Sequence, residues 1–144
     1  MNERIAQSSV YKTQPAIAKS LIALGQSAVE SGLDISLIHL IKLRVSQING
    51  CAYCQLLHSN EARHDGEKQH RLDVLPAWHE VTIFTNRERA ALRWAEALTF
   101  IAGKGIADEE FIAVSLEFTQ EEIINLTTAI VAIVAVIAIL LRAR

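Results

Sequence analysis

The sequence predicts an all-α protein, and three observations carry that expectation. Its apolar bulk is Ala, Leu and Ile with few aromatics (6%), the composition of packed helices. Apolar residues recur at three- and four-residue intervals, and no alternating strand pattern or internal repeat of useful length interrupts them. Helix starts and stops punctuate the chain throughout. A length of 144 residues fits a single domain, 1–144, since domains commonly hold about 100–200 residues. A chain of that size can bury about two-thirds of the surface its unfolded form exposes.

Taken in order, Pro15 opens a helix towards Glu30, with Ala16, Ile17, Ser20, Leu21 and Leu24 at helical spacing. Ser31-Gly32 ends it, and Asp34 is the N-cap of the next. That second helix, about 34–48, carries Leu37, Ile38, Ile41, Val45 and Ile48 as an apolar stripe. Asn49-Gly50 reads as a turn or left-handed stop. A third helix starts near Cys51 and ends at Gly66, and a weaker piece covers about 67–74 before Leu75-Pro76-Ala77-Trp78. Thr85 and Glu88 have capping-box spacing and open a helix to about Ala102, with Ala90, Ala91, Trp94 and Leu98 on one side. A short helix lies near 108–116. Thr119 and Glu122 repeat the capping device before the last helix. That helix holds an unbroken apolar run, Ala129–Leu141, shorter than the roughly 20 residues of a membrane span. Counting back to Ile123 lengthens the run, so a membrane reading stays open beside the preferred one, a helix buried in the core or at a subunit contact.

A net charge of -2 leaves no basic footprint for nucleic acid. The stretch Met1–Ser9 is polar, with no apolar segment of a secretory signal, so the chain is expected in the cytoplasm. Structural disulfides are uncommon there, and the two cysteines, Cys51 and Cys54, need another account. A close pair in a reducing compartment suggests a redox couple or metal ligands.

Cysteines at i and i+3 on a helix start share a face, close enough to form a disulfide with little backbone movement. The first helical turn presents unpaired amides and the positive dipole end, which favour a thiolate. A thiolate is the nucleophile that attacks a peroxide or a disulfide. His58, four residues after Cys54, falls on the same face and can act as acid or base towards that sulfur. If the second and third helices run antiparallel through Asn49-Gly50, His39 lies about 15 Å back from the turn and His58 about 10 Å along, at 1.5 Å per residue. The imidazoles then share a level, as in a relay of Cys54, His58 and His39.

Alternatives remain at this point. A C-x-x-C with a downstream histidine can hold zinc, with His39, His64 or His70 as fourth ligand. Two merely buried cysteines are the blandest option. Covalent haem is excluded because Gln55, not histidine, follows Cys54. His64 and His70 sit among Arg63, Asp65, Lys68 and Gln69 as expected surface residues. Trp78 and Trp94 read as packing residues. Glu109-Glu110 and Glu121-Glu122 suit helix starts through the dipole.

The stretch Leu43-Arg44-Val45-Ser46-Gln47-Ile48-Asn49-Gly50-Cys51-Ala52-Tyr53-Cys54, followed by His58 and Glu61-Ala62-Arg63, resembles the alkylhydroperoxidase D-like core of the carboxymuconolactone decarboxylase family. The similarity continues through Arg71-Leu72, Leu75-Pro76-Ala77-Trp78 and Glu88 to Thr99, and covers about residues 15–103. The resemblance implies an antiparallel helical bundle assembled as a homotrimer or homohexamer. It implies a peroxidase of antioxidant defence that reduces organic hydroperoxides without metal or cofactor. Cys54 would be the peroxidatic cysteine, Cys51 would resolve its sulfenic acid as a disulfide, and His58 would activate Cys54. A dithiol donor, dihydrolipoyl or thioredoxin-like, would restore the pair. His39 stands where the family's proton relay commonly has a glutamate, and Tyr53 stands between the cysteines where the founding enzyme has histidine. A lactone-acid decarboxylase of the same fold, indifferent to both cysteines, and a non-enzymatic redox-sensing or zinc-binding protein are the competing expectations.

Overall fold

Local signals place the elements in the computed structural model, which describes residues 4–139. The helices are α1 (Gln7–Thr13), α2 (Pro15–Val29), α3 (Ile35–Ile48), α4 (Ala52–His64), α5 (Gln69–Val74), α6 (Asn86–Thr99), α7 (Ile101–Lys104), α8 (Asp108–Ser115) and α9 (Gln120–Ile139), with a 3-10 segment at Leu75–Glu80. No strand occurs among the described residues. Helix α1 was not foreseen, because seven residues with no buried side chain leave no apolar stripe to read.

The caps behave as their chemistry requires. Asp34 accepts from the Ser36 amide at 2.9 Å, satisfying one of the donors that a helix start leaves open. Thr85 and Glu88 form the reciprocal box, with the Thr85 hydroxyl on the Glu88 amide and the Glu88 carboxylate on the Thr85 amide. Thr119 and Glu122 do the same ahead of α9. The helix expected to reach Ala102 stops at Thr99 instead, and α7 follows as a separate turn. The Phe100 amide bonds back to Glu96 while its backbone leaves the helical region.

Helix α3 is the wall between two cores. Leu37, Ile38, Ile41 and Val45 face a cluster with Ala91, Trp94, Ala95 and Leu98 of α6, Val114 of α8, and Ile123, Leu126, Ile130 and Ile133 of α9. Leu40 and Leu43 face a smaller cluster with Ala62, Leu72, Leu75, Trp78, Phe84 and Leu92. Both tryptophans pack as expected, and each also satisfies its indole N–H, which donates to Glu96 Oε1 from Trp78 and to Thr127 Oγ1 from Trp94. Packing on three sides follows from apolar residues spaced all round the helix rather than along one stripe.

Helix α9 packs against α2, α3, α6 and α8, yet within one chain it is buried on one face only. Ile124 and Val131 are exposed in the single chain. Among the described residues α9 is long and apolar enough to cross a membrane by length and composition. The end of its apolar run, Leu140 and Leu141, lies outside the described residues.

The turn between α3 and α4 is a Schellman motif. The Cys51 amide donates to Ser46 O at 3.0 Å and the Gly50 amide to Gln47 O at 3.1 Å. Gly50 has φ +63°, a left-handed conformation that costs an L-residue roughly 1–2 kcal/mol. The device recurs at the end of α4, where Glu67 donates to Ala62 O, Gly66 to Arg63 O, and Gly66 has φ +94°. No neighbouring atom lies within 4 Å of a Cβ built at Gly50, so strain alone opposes substitution there. Gly50→Ala is expected to lower stability by about 1 kcal/mol, whereas Leu126→Ala in the main core costs about 2–5 kcal/mol. Denaturant unfolding of the two variants measures both and fails the assignment if their order is reversed.

Candidate active site

The residue that begins α4 also completes the stop of α3 before it. Cys51 closes the Schellman turn of α3 through its backbone, and through its sulfur it is the N-cap of α4, accepting from the Cys54 amide at 3.3 Å. Helix geometry then brings Cys54 back over it, with Cα atoms 5.3 Å apart and a disulfide joining the sulfurs. The expected i, i+3 pair is thus formed, and both cysteines are buried. The amide of the helix start is aimed at Cys51 rather than at Cys54.

Cys54, His58 and Ala62 form the buried stripe of α4, spaced by four residues. On α3, His39, Lys42 and Ser46 fall at i, i+3 and i+7 as one polar line, with Ser36, Arg44 and Gln47 the helix's other polar residues. Helices α3 and α4 pack as a hairpin, so a residue near the start of α3 meets the end of α4. His39 Nε2 lies 2.6 Å from Asp65 Oδ2, across 26 positions of sequence. His58 Nδ1 lies 2.8 Å from Glu61 Oε2, one turn along its own helix. The histidine side chains are 7% and 9% exposed, while the two carboxylate side chains are 41% and 40% exposed.

The counted levels thus bring His39 and His58 into one region, near enough for a charge on His39 to act on His58. Their hydrogen bonds run outward, each imidazole to its own carboxylate, rather than from one ring to the other. Glu61 and Asp65 were not singled out from the sequence. The signal for Glu61 is its i+3 spacing from His58. Asp65 could be found only by counting along both arms of the hairpin. His64 and His70 are exposed as expected. No group of three His, Cys, Asp or Glu side chains among the described residues is arranged to hold a metal ion.

A carboxylate can only accept, so in the neutral ring Nδ1 of His58 carries the proton and Nε2 has the free lone pair. Burial is the largest influence on this imidazole and lowers its pKa from 6.5, the Glu61 hydrogen bond and charge oppose it, and Lys42 and His39 add to the lowering. The ring is therefore neutral and basic at pH 7. Two buried side-chain polar atoms have no hydrogen-bond partner among the described residues, His39 Nδ1 and Gln47 Oε1.

A cavity of about 780 Å³ opens elsewhere, lined by Trp78, Arg89, Arg93, Glu96, Phe100 and Leu116 among others. Several of its charged groups are already matched: Arg89 donates to the carbonyls of Trp78 and Val81, Arg93 pairs with Glu110, and Glu96 takes Arg44. It contains none of the candidate residues.

Comparison with known proteins agrees on one neighbourhood. The sequence profile of the carboxymuconolactone decarboxylase family matches residues 15–97, which include His39, Cys51, Cys54 and His58. An uncharacterised Bacillus subtilis (strain 168) protein, YdfG, is 33% identical over 130 residues, 90% of this chain and 86% of its own. A crystal structure of a protein of unknown function from Agrobacterium tumefaciens, provisionally described as the antioxidant defence protein AhpD, superimposes with a TM-score of 0.88. It is 40% identical and is matched over 96% of this chain and 92% of its own.

The depressed His58 gives a signed prediction for stability. As pH falls below 6.5 the unfolded chain takes up the proton before the folded one, so stability is full above that value and is lost as pH falls through the lowered folded value. Denaturant midpoints of the wild type are expected to fall between pH 7.5 and 5.5. His58→Gln removes part of that slope, and an unchanged slope contradicts the assignment.

Proposed function

Because the chain belongs to the carboxymuconolactone decarboxylase family, and carries a redox-capable cysteine pair on an AhpD-like fold, we propose that it is a thiol peroxidase that reduces organic hydroperoxides in the cytoplasm. The observation that carries this reading is the buried Cys51–Cys54 disulfide at the start of α4, with a neutral histidine on the same stripe one turn beyond.

The structure holds the oxidised pair. A dithiol donor, of dihydrolipoyl or thioredoxin-like chemistry, reduces it by exchange: the donor's two thiols become a disulfide, and Cys51 and Cys54 gain the two electrons. In that step the amide at the Cys51 sulfur stabilises it as a leaving thiolate. His58 then takes the Cys54 proton through Nε2. The Cys54 thiolate attacks the terminal peroxide oxygen and the O–O bond breaks. The alkoxide leaves as alcohol with the proton returned from His58, and Cys54 becomes a sulfenic acid. Cys51 attacks that sulfur, the S–S bond forms, and the hydroxyl leaves as water. No metal or organic cofactor enters this cycle.

The exposed apolar side chains of α8 and α9, Phe111, Ile112, Leu116, Ile124 and Val131, support association of several copies as a trimer or hexamer.

Thiol titration of pre-reduced protein before and after one equivalent of cumene hydroperoxide tests the reading. Wild type is expected to lose both thiols with equimolar alcohol formed, and Cys54→Ser to keep its remaining thiol. His58→Asn is expected to slow the reaction by about 10²–10⁴-fold at pH 7. Survival of the peroxide with both thiols intact in wild type rejects a peroxidase. An activity that persists after serine replacement of both cysteines points instead to chemistry of the decarboxylase kind.

A further inference from the structure

The two imidazoles of the hairpin are held in one way. Each gives one ring nitrogen to a half-exposed carboxylate of α4, Asp65 for His39 and Glu61 for His58, and these carboxylates stand four residues apart on one helix face. A carboxylate accepts only, so in a neutral ring the nitrogen facing the carboxylate carries the N–H and the other keeps the lone pair. For His39 that other atom is Nδ1, which is buried and has no hydrogen-bond partner among the described residues. Buried polar atoms without a partner are uncommon and mark a place where another demand has prevailed.

We propose that Asp65 is a positioning residue of the dithiol site, holding His39 in the tautomer whose Nδ1 lone pair receives the proton released when Cys54 ionises. The proposal rests on the reading of Cys54 as the reactive thiol. The proton passes from the Cys54 sulfur to Nε2 of His58 and from there to Nδ1 of His39, which then carries two N–H groups, one still donating to Asp65. His58 returns to its neutral form, and the charges at that stage are a thiolate, an imidazolium on His39 and the Asp65 carboxylate. The same proton travels back to the alkoxide when the O–O bond breaks, so the dyad ends the step unchanged.

Three features of the chain fit that role. Asp65 is the C-cap of α4 and is fixed by the Schellman turn at Gly66, so its carboxylate is presented by rigid backbone. The bond to His39 closes the end of the hairpin far from the Gly50 turn. The charged and titratable groups gathered at this site are His39 and Lys42 on α3 and His58, Glu61 and Asp65 on α4. Helices α6 and α9 turn mainly apolar side chains towards α3, and Glu96 of α6 is taken up by Arg44.

The test reads the thiol and needs no peroxide. In a reduced Cys51→Ser background, the rate at which iodoacetamide alkylates Cys54 is followed against pH for Asp65, Asp65→Asn, Asp65→Glu, His39→Gln and the His39→Gln/Asp65→Asn pair. Asp65→Asn is expected to slow alkylation at pH 7 about tenfold, the scale of one charge-assisted hydrogen bond, and to move the profile to higher pH. Asp65→Glu restores much of the rate. The double variant is no slower than His39→Gln alone, since Asp65 acts only through that ring. Nitrogen-15 spectra of labelled histidine place the His39 proton on Nε2 in wild type and redistribute it in Asp65→Asn. An Asp65→Asn profile that overlays wild type, or losses that add in the double variant, overturns the proposal. Alkylation that depends on Asp65 in a protein that leaves hydroperoxide intact keeps the dyad and removes the peroxidase reading, so the two failures are distinct.

Discussion

A helix enclosed on three sides can carry polar side chains only where neighbouring elements bring partners to them, and α3 is such a helix. Its apolar residues are divided between two cores, and its remaining line holds His39, Lys42 and Ser46 against α4. An imidazole taken from water without a hydrogen bond costs several kcal/mol by transfer estimates, which makes the meeting of His39 with Asp65 a condition of packing α3 against α4. Ser46 meets the same demand locally, donating to the Lys42 carbonyl one turn back. The site is built from the polar line of a helix whose other faces are committed to the core.

Two glycine turns set the positions from which that line is met. Gly50 closes α3 and delivers Cys51 as the cap of α4, and Gly66 closes α4 and delivers Asp65 to His39. Sulfur and carboxylate are therefore held by backbone hydrogen bonds at opposite ends of one thirteen-residue helix, with His58 and Glu61 between them. Geometry of this kind does not depend on long side chains finding a shared rotamer. It suits proton and thiol chemistry, in which small displacements of the acceptor alter rates strongly.

The charged residues away from the site serve a different end. Arg71 bridges Glu67 and Glu88 and reaches the Ile83 carbonyl, tying the start of α6 to the segment around α5. Arg87 joins the Glu117 carbonyl and Glu122, tying α6 to the start of α9. Arg44, Trp78 and His79 converge on Glu96, whose carboxyl these donors hold below its ordinary value against the opposing effect of burial. These links fasten α6 to α3, to the start of α9 and to the segment that precedes α6. Electrostatics inside the site are thereby left to the histidines, their carboxylates and Lys42.

What the sequence determined by itself is what spacing along one helix can state. The class of fold, the caps at Asp34, Thr85 and Thr119, the stop at Asn49-Gly50 and the common face of Cys51, Cys54 and His58 all follow from intervals of three or four residues. Glu61 belonged to that legible set, as an i+3 partner of His58. The tertiary structure alone decided the rest. Asp65 reaches His39 only because a hairpin folds 26 positions back on themselves, and α9 exposes Ile124 and Val131 only because its neighbours cover one face of a helix that is apolar all round. A helix fixes which of its residues share a side. Which side is buried, and which distant carboxylate comes to a buried ring, depends on how whole helices pack, and no local interval encodes that.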